Sequence, residues 1–324
     1  MPNGYLRHGK VIFFCLVLAV GLVTFAAAAE SPDLAFKSAG NGIFLFDTGA
    51  VKGRLRADAR SQGITTLVDV ASGTELGPGG ELPGILSYYR IFSANKRYGD
   101  AARDWPKTAS LLPDGALRIS WPAGNDHPLE MAAIFRWKKP DMLDLETTVT
   151  PKGDMKDFEV FLSSYFNKNF KSRIYVKAPF HLPGKPSFVS ADVNPLVAGT
   201  YLAFPRDRRA VQIIHDGRWD YGPNPVQWSV TQWLAAPLCM RQEPKSGVAC
   251  LLMSRREDCF AIETPYNMDP PDGVAGHYSM YLSLFGKDIK AGETARAYVR
   301  LVAGRNITDQ SARERYEKYI QEEP

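Results

Sequence analysis

From residue 42 onward, short runs of Val, Ile, Phe, Tyr, Trp and Thr recur between clusters of Gly, Pro, Asn and Asp. This is the pattern of strands bounded by turns. It predicts strands over 42–46, 64–70, 85–92, 116–121, 129–137, 142–150, 158–166, 173–177, 201–204, 210–215, 227–234, 247–254, 258–264, 278–285 and 295–302. Pro113-Asp114-Gly115 and Lys152-Gly153-Asp154 supply turn chemistry between apolar runs. No amphipathic stretches of helical length alternate with the strands, so a parallel sheet built from βαβ units is excluded. One helix is predicted, at about 308–321, capped by Thr308 or Asp309, with Ala312, Tyr316, Tyr319 and Ile320 on one stripe. The fold class is therefore all-β: a large antiparallel two-sheet supersandwich with a short C-terminal helix.

The first 29 residues read differently. Arg7, His8 and Lys10 precede an apolar run from Val11 to Phe25, which ends in Ala26-Ala27-Ala28-Ala29. Basic start, apolar middle and small-residue end make a secretory signal peptide, with Glu30 as the first mature residue. The competing reading is an uncleaved anchor. The expected organisation is a signal peptide over 1–29 and one β domain over 30–324, secreted or periplasmic, with no membrane span left after cleavage.

Composition narrows the function. The 324 residues carry a net charge of +4, halved once Arg7 and Lys10 leave with the signal, so charge points to no nucleic-acid partner. Four cysteines are too few for a disulfide scaffold of this length. The chain shows no G-x-S-x-G elbow, H-E-x-x-H, C-x-x-C or Walker A loop. Asn267-Met268-Asp269-Pro270-Pro271-Asp272-Gly273 lacks the spacing of a calcium loop and reads as a solvated turn. No metal or cofactor is expected.

The stretch 235–286 carries the most chemistry. A hairpin through Arg255–Glu257 would pair Cys250 with Cys259, Ala249 with Phe260 and Val248 with Ala261, and the preceding strand would set Cys239 opposite Cys250. Opposed residues share a face, so the three cysteines would lie side by side. Buried thiols, one disulfide with a leftover thiol, and a three-cysteine metal site short of a ligand are the alternatives. The same register puts Phe260 and Ile262 with Ala249, Leu251 and Met253 on an apolar face, and Cys259, Ala261 and Glu263 on the other. In the next strand Tyr278, Met280, Leu282 and Leu284 alternate with His277, Ser279, Tyr281 and Ser283. Glu263 and His277 would then project together, a carboxylate and an imidazole suited to proton transfer. A structural hydrogen-bonded pair is the competing reading.

Two aromatic–basic clusters add binding candidates. His215-Asp216-Gly217-Arg218-Trp219 follows an apolar run, with Tyr221, Trp228 and Trp233 close behind. Indole faces stack on sugar C–H faces, and they pack equally well in a core. Tyr88-Tyr89-Arg90 and Lys96-Arg97-Tyr98, followed by Arg103 and Trp105, form the second cluster, suited to carboxylates or sugar hydroxyls. Asp126-His127-Pro128 is a weaker acid–base candidate.

Three segments resemble the galactose-mutarotase-like β-supersandwich group: the paired strands of Leu129–Thr150, the strand 158–166 (FEVFLSSYF), and 277–293 with its closing strand and Gly-Glu turn. The resemblance spans roughly 35–303. It implies sugar chemistry in the concave face of a sheet. Epimerases of the group use a His acid and a Glu base; here Glu263 and His277 take those places, in reversed chain order, while His215 or His127 as the acid restores the usual order. Lyases of the group use Tyr or His with a charge-neutralising Arg or Asn, for which Arg90, Arg97 and Arg218 are available.

The expectation is an exported carbohydrate-active protein, epimerase-like or lyase-like, acting on a sugar or polysaccharide. Glu263, His277 and His215 are the catalytic candidates. Arg90, Arg97, Arg218, Trp219 and Tyr281 are the substrate-binding ones. The alternative is a non-catalytic glycan-binding or structural envelope protein.

Overall fold

A computed structural model describes residues 33–58, 61–80, 82–178, 184–191, 201–265 and 278–323, with Met1 and Gly4. The expected signal peptide, the 267–273 turn and His277 lie outside the described residues. Residues Pro32–Pro324 form one compact unit.

Three sheets build it. A five-stranded sheet runs in chain order: β1 (Lys37–Gly40), β2 (Ile43–Asp47), β3 (Val51–Arg56), β4 (Gly63–Asp69) and β5 (Thr74–Glu75). Three further short elements follow: β6 (Ser87–Ser93), β7 (Lys96–Arg97) and β8 (Thr108–Leu111). Next come β9 (Leu117–Trp121), β10 (Leu129–Lys139), β11 (Met142–Pro151), β12 (Met155–Tyr165), β13 (Lys171–Val176) and β14 (Ser187–Ser190). After β15 (Tyr201–Pro205) and helix α1 (Arg208–Ile214) come β16 (Trp228–Val230), β17 (Leu234–Gln242), β18 (Val248–Ser254) and β19 (Cys259–Pro265). The chain closes with β20 (Ser279–Ile289), β21 (Ala295–Arg305) and helix α2 (Asp309–Gln321). The nine-stranded sheet has the order β14-β13-β17-β18-β21-β11-β10-β9-β8, and the seven-stranded sheet β16-β15-β19-β20-β12-β6-β7. Every pair is antiparallel except β15 with β16.

Side-chain alternation explains the layering. Along β10, Leu129, Met131, Ala133, Phe135 and Trp137 are buried and the residues between them are not, so one face meets the core and the other faces outward. The inward rows of all three sheets share one apolar core. The middle of the seven-stranded sheet breaks the alternation: from Phe158 to Tyr165, and throughout β19, every residue is buried. A strand buried on both faces has a cover on its second face. Here Phe158, Val160 and Leu162 point into the shared core, while Phe161 and Tyr165 lie under α1 and the segment after it.

The C-terminal helix is capped by Thr308, whose hydroxyl accepts from the Ser311 amide at 3.1 Å. Ala312, Tyr316 and Tyr319 cover the outer face of β17, β18 and β21, beside Leu238, Met240, Leu251 and Met253. Ile320, expected on that stripe, is exposed.

Two expectations fail for identifiable reasons. The stretch 210–215 is helical rather than a strand, because the Asp207 carboxylate caps it by accepting from the Ala210 amide at 3.0 Å. The β18–β19 hairpin does not form either. Arg255–Asp258 carries the chain from one sheet to the other, so β18 pairs with β17 and β21 while β19 pairs with β15 and β20. Cys239 then faces Leu252, Cys250 faces Arg241, and Cys259 faces Leu284. All three thiols are free and buried in the shared core. A bulge between Cys259 and Ala261 also turns Phe260 to the covered face, away from Ile262.

Burial keeps thiols protonated and out of reach of reagents, and it holds these three well above the usual thiol range. None of Cys239, Cys250 and Cys259 is expected to react with a thiol reagent in the native protein. All three are expected to react in denaturant without reductant. Fewer than three there would show a bridge.

Candidate functional site

The covered face of the seven-stranded sheet is where polar chemistry is buried. Register assembles it. In β20 and β19, Ser283 lies opposite Ala261 and Tyr281 opposite Glu263. On the other side of β20, Phe161 lies opposite Ser283 and Ser163 opposite Tyr281. In β6 a bulge sets both Tyr89 and Arg90 beside Phe161, an arrangement that re-aims side chains. Glu263, Tyr281 and Ser283 thus share one face, as their alternation predicts.

Glu159, from β12, joins them. The Ser283 hydroxyl lies 2.7 Å from Glu159 Oε1 and 2.9 Å from Glu263 Oε1. A hydroxyl carries one hydrogen and can donate to only one of two carboxylates. The other carboxyl must be protonated and donate to the Ser283 oxygen. Burial raises both carboxyls. At Glu159, Arg218 opposes that rise, with Nη1 donating to Oε2 at 2.7 Å. At Glu263 the charge of Glu159 adds to burial, and only Ser283 opposes them. Glu159 is therefore the ionised member and Glu263 the neutral acid. Glu263 Oε2 is buried with no hydrogen-bond partner.

Arg218 is fully buried, and every nitrogen of its guanidinium has a partner. Besides Glu159, its Nε and Nη2 donate to the Asp216 carboxylate at 3.0 and 2.9 Å, and Nη2 also to the Asp157 carbonyl at 3.0 Å. The expectation that Arg218 binds substrate is not what this geometry serves: it is the counter-ion of Glu159.

An aromatic cover closes the face. Trp219 meets Phe161 edge-on at 4.7 Å and Trp228 at 5.2 Å. Phe161 also packs on Tyr281 at 4.7 Å. Trp219 and Trp228 line the wall of a surface cavity of about 380 Å³ with His215, Asp220, Gln227 and Ser229. The indoles serve as core packing toward the sheet and as a cavity wall outside. His215 caps the C-terminus of α1 and is exposed on that outer rim. It is not brought together with the buried carboxyls.

Tyr281, opposite Glu263 in the register, packs edge-on against Tyr165 at 6.3 Å. The Tyr281 hydroxyl accepts from Ser279 at 2.6 Å. Burial, and then neighbouring Tyr165, push the Tyr281 phenol well above its usual value, with Tyr201 and Tyr89 near enough to contribute. Arg97 holds the following loop: its Nη1 donates to the carbonyls of Tyr221, Gly222 and Pro223 at 3.4, 3.3 and 3.1 Å. His127 is structural. It stacks on Trp105 at 3.9 Å, with Nδ1 2.6 Å from the Asp126 carboxylate and Nε2 3.2 Å from the Pro122 carbonyl. Glu159 and Ser283 are the residues sequence reasoning passed over as site members. Glu159 was visible as the lone charge in the run FEVFLSSYF. Among the described residues, no three His, Cys, Asp or Glu side chains are grouped to hold a metal, and no helix is long and apolar enough to cross a membrane.

The sheets, their shared core and the covered face make a β-sandwich whose fold resembles the galactose-mutarotase-like group. The structure is similar to a galactose mutarotase-related enzyme from Lactobacillus acidophilus, with a TM-score of 0.50 and 10% identity over 82% of this chain and 99% of that one. Weaker likenesses are a GalM/aldose epimerase homologue from C. elegans (TM-score 0.43, 8% identity, 79% and 96% covered) and heparan sulfate lyase HepC from Pedobacter heparinus (0.44, 8%, 87% and 38%). The first likeness carries the fold, and at such identity the fold alone. No family model and no curated protein matches the chain.

Proposed function

We propose that the chain is an exported carbohydrate-active protein that performs acid–base chemistry, epimerase-like or lyase-like, on a sugar at the covered face of its seven-stranded sheet. The observation that carries this reading is Glu263: a buried carboxyl with one oxygen lacking a partner, its pKa raised well above the usual range by burial and by Glu159. Carboxylic acids held neutral in this way serve as proton donors. Glu159 and Arg218 hold that state, and Ser283 links Glu159 to Glu263. Access requires the segment carrying Trp219 and Trp228 to move off Phe161. Export rests on the basic start, apolar run and alanine cluster of the first 29 residues.

The test is turnover by the protein from Glu30 onward, offered reducing sugars and uronate polysaccharides, with anomeric exchange and chain cleavage followed by proton NMR. Wild type is expected to turn over one class. Glu263→Gln is expected to lose about a hundredfold or more of the rate. Equal rates in both would overturn the role of Glu263. A second reading follows from one observation: Glu159 and Glu263 are at most 2% exposed, while the two indoles border an open cavity. Binding by wild type and variant alike, with turnover by neither, would select a non-catalytic glycan-binding module.

A further inference from the structure

Arg218 directs its side-chain donors at two carboxylates and a carbonyl. The arginines on and beside β6 do not. Arg90 is 1% exposed and uses only Nη2, on neutral oxygens: the carbonyls of Asn224 at 2.5 Å and Pro223 at 3.3 Å, and the Tyr89 hydroxyl at 3.4 Å. Its Nε and Nη1 are buried without a hydrogen-bond partner. Arg97, with its side chain 6% exposed, binds backbone carbonyls and has a buried Nε without a partner. Among the described residues its carboxylate neighbour is the exposed Asp100, 3.5 Å away. Arg103 has Nε and Nη1 buried and unpartnered. Among the described residues, no carboxylate pairs with Arg90 or Arg103.

Two of the three lie over one ring. The Arg90 and Arg103 guanidinium carbons lie 5.0 and 4.5 Å from the Tyr89 ring centre. Arg97 joins them through a shared acceptor: its Nη1 and Arg90 Nη2 donate to the same Pro223 carbonyl, at 3.1 and 3.3 Å. Such a ring attracts each cation only modestly and cannot replace a counter-ion. Gathering buried cations without one is costly, and the unused N–H groups add to the cost. The same groups suit an anion: guanidinium forks match planar carboxylates and tetrahedral oxyanions. Part of the cluster meets solvent. Tyr89, Tyr201 and Arg103 are half-buried. Lys96 and Arg97 line a surface cavity of about 260 Å³ with Gly99, Tyr221 and Gly222, a lining with two cations and no acid.

We propose that Arg90 and Arg103, over the Tyr89 ring, and Arg97, which shares the Pro223 carbonyl with Arg90, bind an oxyanion carried by the sugar, the carboxylate of a uronic acid or the sulfate of a sulfated sugar. The proposal rests on the sugar reading above and names its substrate class: the ligand supplies the negative charge that the protein withholds here and provides at Arg218.

The experiment is calorimetric titration of the protein from Glu30 onward with D-glucuronate, D-glucose 6-sulfate and D-glucose, at low and at raised salt. At least one anionic sugar is expected to bind about tenfold or more tighter than glucose, with the gap narrowing as salt rises; which one binds distinguishes carboxylate from sulfate. Arg103→Gln, at a half-buried position, and Arg90→Lys, which keeps the charge and loses the fork, are expected to remove most of that gap. Their unfolding midpoints report that they fold. Equal affinity for all three sugars, an anion preference untouched by both variants, or no binding of any sugar would overturn the anion site. Turnover of a neutral sugar lost in Glu263→Gln would leave the acid–base reading standing in each case.

Discussion

Replacing Arg218 with Met is expected to destabilise the protein by about 3–5 kcal/mol, the usual cost of leaving one member of a buried ion pair alone. Arg218 and Glu159 are both essentially without solvent contact, and the guanidinium also ties Asp216 and the Asp157 carbonyl to the sheet. With the cation gone, Glu159 has only Ser283 to oppose burial and takes up a proton on folding. Its folded pKa then lies above its unfolded value, so the stability it leaves is full below about pH 4.3 and is lost as the pH rises beyond that. Urea unfolding of Arg218→Met from about pH 4 to pH 8 should show the deficit widening with pH. Adding Glu159→Gln should recover part of it, because the uncompensated charge is removed together with its partner. A loss under about 1 kcal/mol with no pH dependence would mean that Arg218 and Glu159 are not a buried pair.

The Glu263→Gln variant is expected to be more stable than wild type at neutral pH while losing activity. The folded protein holds Glu263 protonated, so its pKa is raised above the unfolded value of about 4.3. Such a group gives its full stability below that value and loses it as the pH climbs toward the folded pKa. Gln keeps the hydrogen bond, since its amide donates to Ser283 as the protonated carboxyl does, and it has no proton to lose. The advantage of the variant should be near zero at about pH 4 and should grow by about 1.4 kcal/mol per pH unit above the ordinary Glu range, until the folded pKa is passed. Denaturant unfolding at several pH values measures this directly. A variant less stable than wild type at every pH would show that the charged form of Glu263 is the one the fold holds.

These expectations rest on a site that was half legible in the sequence. The alternation in 278–284 placed Tyr281 and Ser283 on the same face as Glu263, and the structure pairs Glu263 with Tyr281. A strand's period of two carries that information locally. What the sequence hid was non-local. Arg218 lies 59 residues from Glu159, and nothing short of the folded sheet shows that the charge is already neutralised. The thiol register failed because a four-residue connection, Arg255–Asp258, crosses between sheets instead of closing a hairpin. The apolar stretch at 210–215 has strand composition, yet the Asp207 cap fixes it as a helix, and that helix forms part of the cover over the site. Tertiary placement overrode local preference there.

The protonation of Glu263 is best read from its own carboxyl carbon. In protein labelled with 13C at glutamate, assigned by difference against Glu263→Gln, its resonance is expected at the position of a neutral acid at pH 7, unmoved through the range where exposed glutamates titrate, at about pH 4.3. A resonance that titrates with those exposed glutamates would contradict the account, because Glu263 would then be a carboxylate with no proton to give.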